Sequence, residues 1–109
     1  MGKRDKKKIR GTSIRPRLVV FRSHKHIYVQ IIDDSSSQTI TSCSTLEPEI
    51  RNQLQSTSNI DASVIVGQTI GKRLFAKNIN SVIFDRNGKP YHGRIKAVAE
   101  AARDSGLNF

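Results

Sequence analysis

Between Arg15 and Asp34 two apolar stretches, Leu18 to Phe21 and Ile27 to Ile32, flank the polar quartet Arg22-Ser23-His24-Lys25. Both stretches are rich in β-branched and aromatic residues, which suit a pleated surface, so the segment reads as an antiparallel hairpin. With His24-Lys25 as a two-residue tip, Phe21 faces Tyr28, Val20 faces Val29 and Leu18 faces Ile31. Side chains alternate across a strand, so Leu18, Val20, Ile27, Val29 and Ile31 share the side predicted to be the core face. Arg17, Val19, Phe21, Ser23, His26, Tyr28 and Gln30 share the other, where rings mix with cations and hydrogen-bonding groups. Such a face suits RNA better than a core.

Asp33-Asp34 before three serines predicts a turn, and Gln38 to Thr45 a third strand polar enough for a sheet edge. Thr45 is placed to cap a short turn through Leu46, Glu47 and Pro48, with Ile50 and Leu54 packing inward. Asn59 then caps a helix from Ile60 to about Lys77, whose stripe reads Ile60, Val64, Gly67, Ile70, Gly71, Leu74 and Phe75. Gly67 and Gly71 each forfeit about 1 kcal/mol of helix propensity relative to Ala, which predicts close approach of this helix to the sheet. The run Ser81 to Asp85 predicts a strand buried on both faces. A strand, a long helix and another strand imply parallel pairing through a crossover. A last helix runs from about Gly93 to Ser105, with Ile95, Val98, Ala99 and Ala102 toward the core, Gly106 closing it and Leu107 folded back. The predicted class is α/β: a mixed four-stranded sheet of order 3-2-1-4, its first three strands antiparallel and the fourth parallel to the first, packed with two main helices.

Charge changes the picture from fold to partner. Nineteen Lys and Arg against nine Asp and Glu give a formal net charge of +10 in 109 residues, and a single domain so charged points to a polyanion. Lys3, Arg4, Lys6, Lys7, Lys8, Arg10, Arg15, Arg17, Arg22 and Lys25 all precede Ile27, opposed only by Asp5. Residues 1–14 hold little apolar surface beyond Ile9 and Ile14, which predicts a flexible basic arm ahead of one α/β domain spanning 15–109. Clustered cations release counterions from a phosphate backbone, so the arm reads as a nucleic-acid arm that orders on binding rather than a solubilising tail. Pro16 extends the chain and sets Arg15 and Arg17 at the first strand's entrance. The lone Cys43 excludes an intramolecular disulfide and fits a structural thiol in a reducing compartment. Neither a leader nor a bilayer-spanning run is expected, and so no membrane partner.

Asn87-Gly88 signals a tight turn and Pro90 stiffens its exit. Arg94 and Lys96 occupy the last helix's first turn, where each cation opposes the helix dipole by about 0.3 to 1 kcal/mol. A phosphate bound there reverses the sign. Phe21, Tyr28 and Tyr91 offer flat surfaces to unstacked bases. His26 and His92 lack the carboxylate or thiol partners that metal binding or catalysis needs, so no catalytic residue, metal, cofactor or small-molecule substrate is expected. Two rival functions stand beside structural RNA binding. One is a metal-dependent nuclease of ribonuclease-H-like architecture, because Asp33, Asp34 and Asp85 end strands. That chemistry needs converging carboxylates, and the predicted sheet sends Asp33 and Asp34 to the end opposite Asp85. The other is a general RNA chaperone, distinguished by having no preferred RNA.

Several words of the sequence carry a family resemblance: Arg15-Pro16-Arg17-Leu18, Phe21-Arg22-Ser23, His26 through Asp34, Ser44-Thr45-Leu46-Glu47, Val66-Gly67, Phe84-Asp85-Arg86, Tyr91-His92-Gly93-Arg94 and the closing Ala101 to Phe109. In this order and spacing the chain resembles, over nearly its whole length, the 5S-rRNA-binding family of the large ribosomal subunit, the eighteenth in that series, in its bacterial and organellar form. The resemblance implies a structural protein fastening 5S rRNA at the central protuberance, a monomer within the ribosome touching large-subunit rRNA and neighbouring proteins, in bacterial cytoplasm or an organelle. Carried over by position, the RNA contacts fall on Lys3, Arg4, Lys6, Lys7, Lys8 and Arg10 of the arm, on Arg15, Arg17, Arg22, Ser23, Lys25, His26, Tyr28 and Gln30, and on Arg86, Tyr91, His92, Arg94 and Lys96. Lys89-Pro90 stands where the family has an aromatic or aliphatic residue, and the arm is shorter and less Arg-rich than in most bacterial members.

Overall fold

The computed structural model describes residues 9–109, so Lys3, Arg4, Lys6, Lys7 and Lys8 lie outside the described residues. Strands β1 (Arg17–Arg22), β2 (Ile27–Asp33) and β3 (Gln38–Ser44) lead through the short helix α1 (Pro48–Arg51) to the long helix α2 (Ile60–Ala76), then β4 (Ile83–Asp85) and α3 (Gly93–Asp104). The sheet has order β3-β2-β1-β4, with β1, β2 and β3 antiparallel and β4 parallel to β1, as the alternation of strand and helix patterns predicts. The hairpin register is also the predicted one: Phe21 pairs with Tyr28, Val20 with Val29 and Leu18 with Ile31. Ser23 N–H donating to the His26 carbonyl closes the tip. That register follows because it puts Leu18, Val20, Ile27, Val29 and Ile31 together on one face.

That face is the core. Leu18, Val20, Ile27, Val29, Ile31 and Cys43 meet Val66, Ile70 and Leu74 of α2 and Ile95, Val98 and Ala102 of α3 in one buried cluster. Burial pushes the Cys43 thiol up to about 12, which fits a small structural side chain rather than a reactive one. A register slip between Ile31 and Ile32 makes Ile40 the extra residue of a bulge and turns it toward the core. Asn59 caps α2 by accepting from the Ala62 N–H at 2.9 Å. α3 ends with the Leu107 N–H donating to the Ala102 carbonyl and the Gly106 N–H to Arg103, Gly106 taking φ +114°. That left-handed turn folds Leu107 back into the core.

The structure departs from the sequence reading at five places. β4 is not buried on both faces: it forms an outer strand, and Ile83, Phe84 and Asp85 are all half-buried. Val19 was expected on the open face among polar groups, yet it is 1% exposed although outside the core cluster. Its longer neighbours on that face, Arg17 and Phe21 along the strand and Gln30 across it, close over a short side chain. Thr45 does not cap α1. Glu47 stands at that position but its side chain does not cap the helix, accepting instead from the Ser44 N–H and Arg73, and Thr45 is fully buried where its hydroxyl accepts from the Ile27 N–H and bonds His26 Nδ1. On α2 the inward stripe is Ala62, Val66, Ile70 and Leu74, while Ile60 and Phe75 are exposed.

Finally, the two helix glycines approach α3 and not the sheet. A Cβ on Gly67 would lie 2.5 Å from the Val98 carbonyl oxygen and 2.7 Å from the Ala101 Cβ, and one on Gly71 would overlap the Ser105 side chain. The sheet is reached by larger residues, and the smallest are reserved for the helix-helix seam. In an isolated helix Gly67→Ala would gain about 1 kcal/mol. Here overpacking against a backbone carbonyl is expected to reverse the sign and cost about 1 to 3 kcal/mol net. Urea unfolding reads this directly, and a raised midpoint would refute the close approach.

Candidate nucleic-acid interface

The open face of the hairpin and the carboxyl ends of β1 and β4 carry most of the predicted residues. Phe21 is 38% exposed, so it is no core ring, and it stands opposite a half-buried Tyr28. His26 leans on Tyr28 with ring centroids 6.3 Å apart while its Nδ1 bonds Thr45, so one ring edge is structural and the remainder faces outward. Gln30 is half-buried one step along, and Arg22, Ser23 and Lys25 are exposed around the tip. A strand pair with an uncovered face of rings and amide or imidazole groups can take unstacked bases by stacking and hydrogen bonding.

β4 runs parallel to β1, so the loop that follows it is delivered to the hairpin-tip end. Asn87 and Gly88 both take positive φ, the Lys89 N–H donates to the Arg86 carbonyl, and Asp85 Oδ1 accepts from the Asn87 N–H. This tight turn leaves Arg86 and Lys89 exposed. α3 then starts at His92 with neither a side-chain cap nor an acidic residue in its first turn. Arg94 reaches across to donate to the Ser23 carbonyl at 3.1 Å, joining helix mouth to hairpin tip. The resulting cleft of about 390 Å³ is lined by Arg22 and Arg94, by Pro90 and His92, and by Asn59 and Ile60 from the start of α2. An exposed Arg22 and a half-buried Arg94 over a helix N-terminus without a side-chain cap suit a phosphate group. Lys96 is exposed one turn on and only loosely paired, 4.0 Å from Glu100.

Other predicted residues have structural partners. Tyr91 packs edge-on against Phe84 at 6.1 Å, Phe84 stacks on Phe109 at 5.5 Å, and Arg103 lies 4.4 Å over the Phe109 ring while reaching the Tyr91 hydroxyl. Half of Tyr91 is thus committed to holding the carboxyl terminus against β4. Arg15 is exposed with its Nε donating to the Val82 carbonyl, and Arg10 is exposed beside the entrance.

Arg17 is the clearest surprise. Its guanidinium forks onto Asp34, Nε to Oδ2 at 3.0 Å and Nη2 to Oδ1 at 3.1 Å, and its Nη1 meets Asp85 Oδ2 at 2.9 Å. Asp34 and Asp85 leave their strands in opposite directions, as expected, yet β4 is so short that one long side chain bridges both. The nuclease geometry gains nothing from this: a protein cation already sits between the two carboxylates, and Asp33 is turned away, accepting from the Ser35 N–H. Among the described residues no three His, Cys, Asp or Glu side chains are grouped to hold a metal ion. The signal for the Arg17 pair was present in the sequence, since Arg17 opposite Ile32 places Asp34 two residues beyond its partner.

The arm's root lies at the other end of the hairpin from the tip. Gly11 N–H donates to Asp34 Oδ2 at 2.7 Å and the Asp34 N–H to the Gly11 carbonyl at 3.1 Å, so the backbone is held ahead of Arg15. The expected docking surface is therefore a track along β1 rather than one spot, about 20 Å for its six residues.

Two ion-paired carboxylates make stability pH-dependent. The Arg73 guanidinium holds Glu47 below the usual carboxylate range, and Arg17, with the Gly11 N–H, does the same to Asp34. A depressed carboxyl contributes stability that is full above its unfolded value of about 4 and lost as pH falls through its folded value. The urea midpoint should therefore be lower at pH 3 than at pH 7, and Glu47→Gln should shrink that difference. An equal drop in the variant would remove Glu47 from the account.

The family described as "Ribosomal L18 of archaea, bacteria, mitoch. and chloroplast" matches residues 2–109. The chain is 56% identical over 108 residues to the large ribosomal subunit protein uL18c of Cyanophora paradoxa, covering 98% of this chain and 89% of that one. It is 57% identical to uL18 of Thermotoga neapolitana, covering 98% and 88%, and 60% identical to uL18c of Guillardia theta, covering 94% and 95%.

Proposed function

Because the chain belongs to the ribosomal L18 family and is a structural protein of the large ribosomal subunit rather than an enzyme, we propose that it binds 5S rRNA and helps attach it to the subunit at the central protuberance. The observation that carries this reading is the cleft where Arg22 and Arg94 meet over the mouth of α3, continuous with the uncovered face bearing Phe21, Tyr28 and Gln30. Cations of the arm, with Arg15, Arg22, Lys25, Arg86, Arg94 and Lys96, contact phosphates and set orientation. Tyr28, His26, His92 and Ser23 address bases and sugars at the tip, and the free edge of Tyr91 borders the loop. Large-subunit rRNA and neighbouring proteins complete the environment. Filter binding of the purified chain to 5S rRNA, in competition with bulk tRNA, tests the reading. Retention of 5S rRNA against excess tRNA is expected, and equal competition would replace the proposal with a general RNA chaperone.

A further inference from the structure

The family resemblance assigns Arg17 to the RNA, and its surroundings argue otherwise. Three of its N–H groups are already committed to Asp34 and Asp85, at 2.9 to 3.1 Å, and its side chain is only 21% exposed. The three side chains together carry a net charge of −1, and Arg10 acts on Asp34 through space. A phosphate approaching Arg17 would have to displace a bidentate carboxylate or stand beside two of them. What the cluster does hold is chain. Asp34 Oδ2, oriented by Arg17, receives the Gly11 N–H, and Asp85, held by the same guanidinium, receives the Asn87 N–H of the Arg86 turn. Gly11 sits so close that a Cβ there would overlap the Arg17 amide nitrogen and lie 2.7 Å from the Ile32 carbonyl oxygen.

We propose that Arg17 is a positioning residue, which with Asp34 clamps the root of the basic arm and, through Asp85, the Arg86 turn, so that both segments meet RNA from fixed points. This rests on the RNA-binding reading above. It makes a prediction that charge alone reverses. Asp34→Asn removes a negative charge near a polyanion, which should tighten binding if electrostatics decided the matter. The clamp requires the opposite, because an amide sets an NH2 against an Arg17 N–H or the Gly11 N–H and removes the charge that holds the guanidinium, which loosens the root. Re-ordering one backbone residue on binding corresponds to a loss of about tenfold in affinity.

The test measures 5S rRNA affinity across salt concentrations for the full chain, for Asp34→Asn and for Arg17→Gln. Each is made in the native background and with Lys6, Lys7 and Lys8 replaced by Gln, and circular dichroism verifies that each is folded. The expected result is that Asp34→Asn weakens binding in the native background and has little further effect once the arm is neutralised. Asp34→Asn keeps the fold's side-chain volume, so it serves where Arg17→Gln is too unstable. If Arg17 instead touched a phosphate, Arg17→Gln would lower the slope of log affinity against log salt by about 0.7 to 0.9 in both backgrounds, which overturns the clamp. Tighter or unchanged binding by Asp34→Asn, or equal weakening in both backgrounds, also overturns it and leaves the RNA-binding reading intact. Failure of the unaltered chain to retain 5S rRNA overturns both.

Discussion

Raising the salt from about 50 to about 200 mM is expected to weaken the proposed binding to 5S rRNA by roughly a thousandfold to a hundred-thousandfold, the loss for six to ten neutralised phosphates on duplex. The number of available cations sets this range. The arm brings Lys3, Arg4, Lys6, Lys7, Lys8 and Arg10, and the folded domain adds Arg15, Arg22, Lys25, Arg86, Arg94 and Lys96. Arg17 and Arg73 are excluded because carboxylates already neutralise them. Not every exposed cation meets a phosphate, so the total is an upper bound on the slope. Filter binding at several salt concentrations measures it, and a nearly flat dependence would mean that stacking and hydrogen bonds on the hairpin face, not charge, hold the RNA.

Val20→Asp should abolish the fold, whereas Phe21→Asp, one residue on, should leave it standing. Val20 is 2% exposed and belongs to the cluster between sheet and helices. A carboxylate there has no cation or donor among its apolar neighbours, and an uncompensated buried charge costs several kcal/mol or more. A domain of this size has only about 5 to 15 kcal/mol in total. Phe21 points to the other face and is already partly in water, so its replacement forfeits contact area without burying a charge. The same Phe21→Asp chain should lose RNA affinity, by about 1 to 3 kcal/mol for one stacked base and more through the added negative charge. Far-ultraviolet circular dichroism beside the binding assay separates the two outcomes. Equal loss of structure in both variants would invalidate the assignment of faces.

The contrast between these neighbours also shows how far residue pattern reaches. The hairpin tip, its register and the caps at Asn59 and Gly106 were readable because each rests on interactions within a few residues or on a period of two that admits one solution, and the sheet order because a strand-helix-strand crossover favours parallel pairing. The exposed tip and the uncapped mouth of α3 could be anticipated for a related reason: Arg22 and Ser23 interrupt the apolar alternation of the hairpin, and Arg94 and Lys96 sit where each opposes the helix dipole.

Partners distant in sequence were a different matter. An apolar stripe on α2 drawn from Ile60 to Phe75 is a fair helical face, but its rotation about the helix axis depends on the neighbour. Gly67 lets α3 approach closely, and Ala62 and Val66 join the expected Ile70 and Leu74 on the inward face while Ile60 and Phe75 turn out. Thr45 has the chemistry of a cap, and only the folded chain brings His26 and the Ile27 N–H to its hydroxyl. Arg17 reads as one more cation in a basic segment until strand pairing sets Asp34 and Asp85 around it. Local periodicity and turn chemistry determined which elements exist and which way the sheet faces. Tertiary structure alone decided which cations remain free for a polyanion, because a charge is neutralised by what lies within a few ångströms in space and not by what precedes it in the chain.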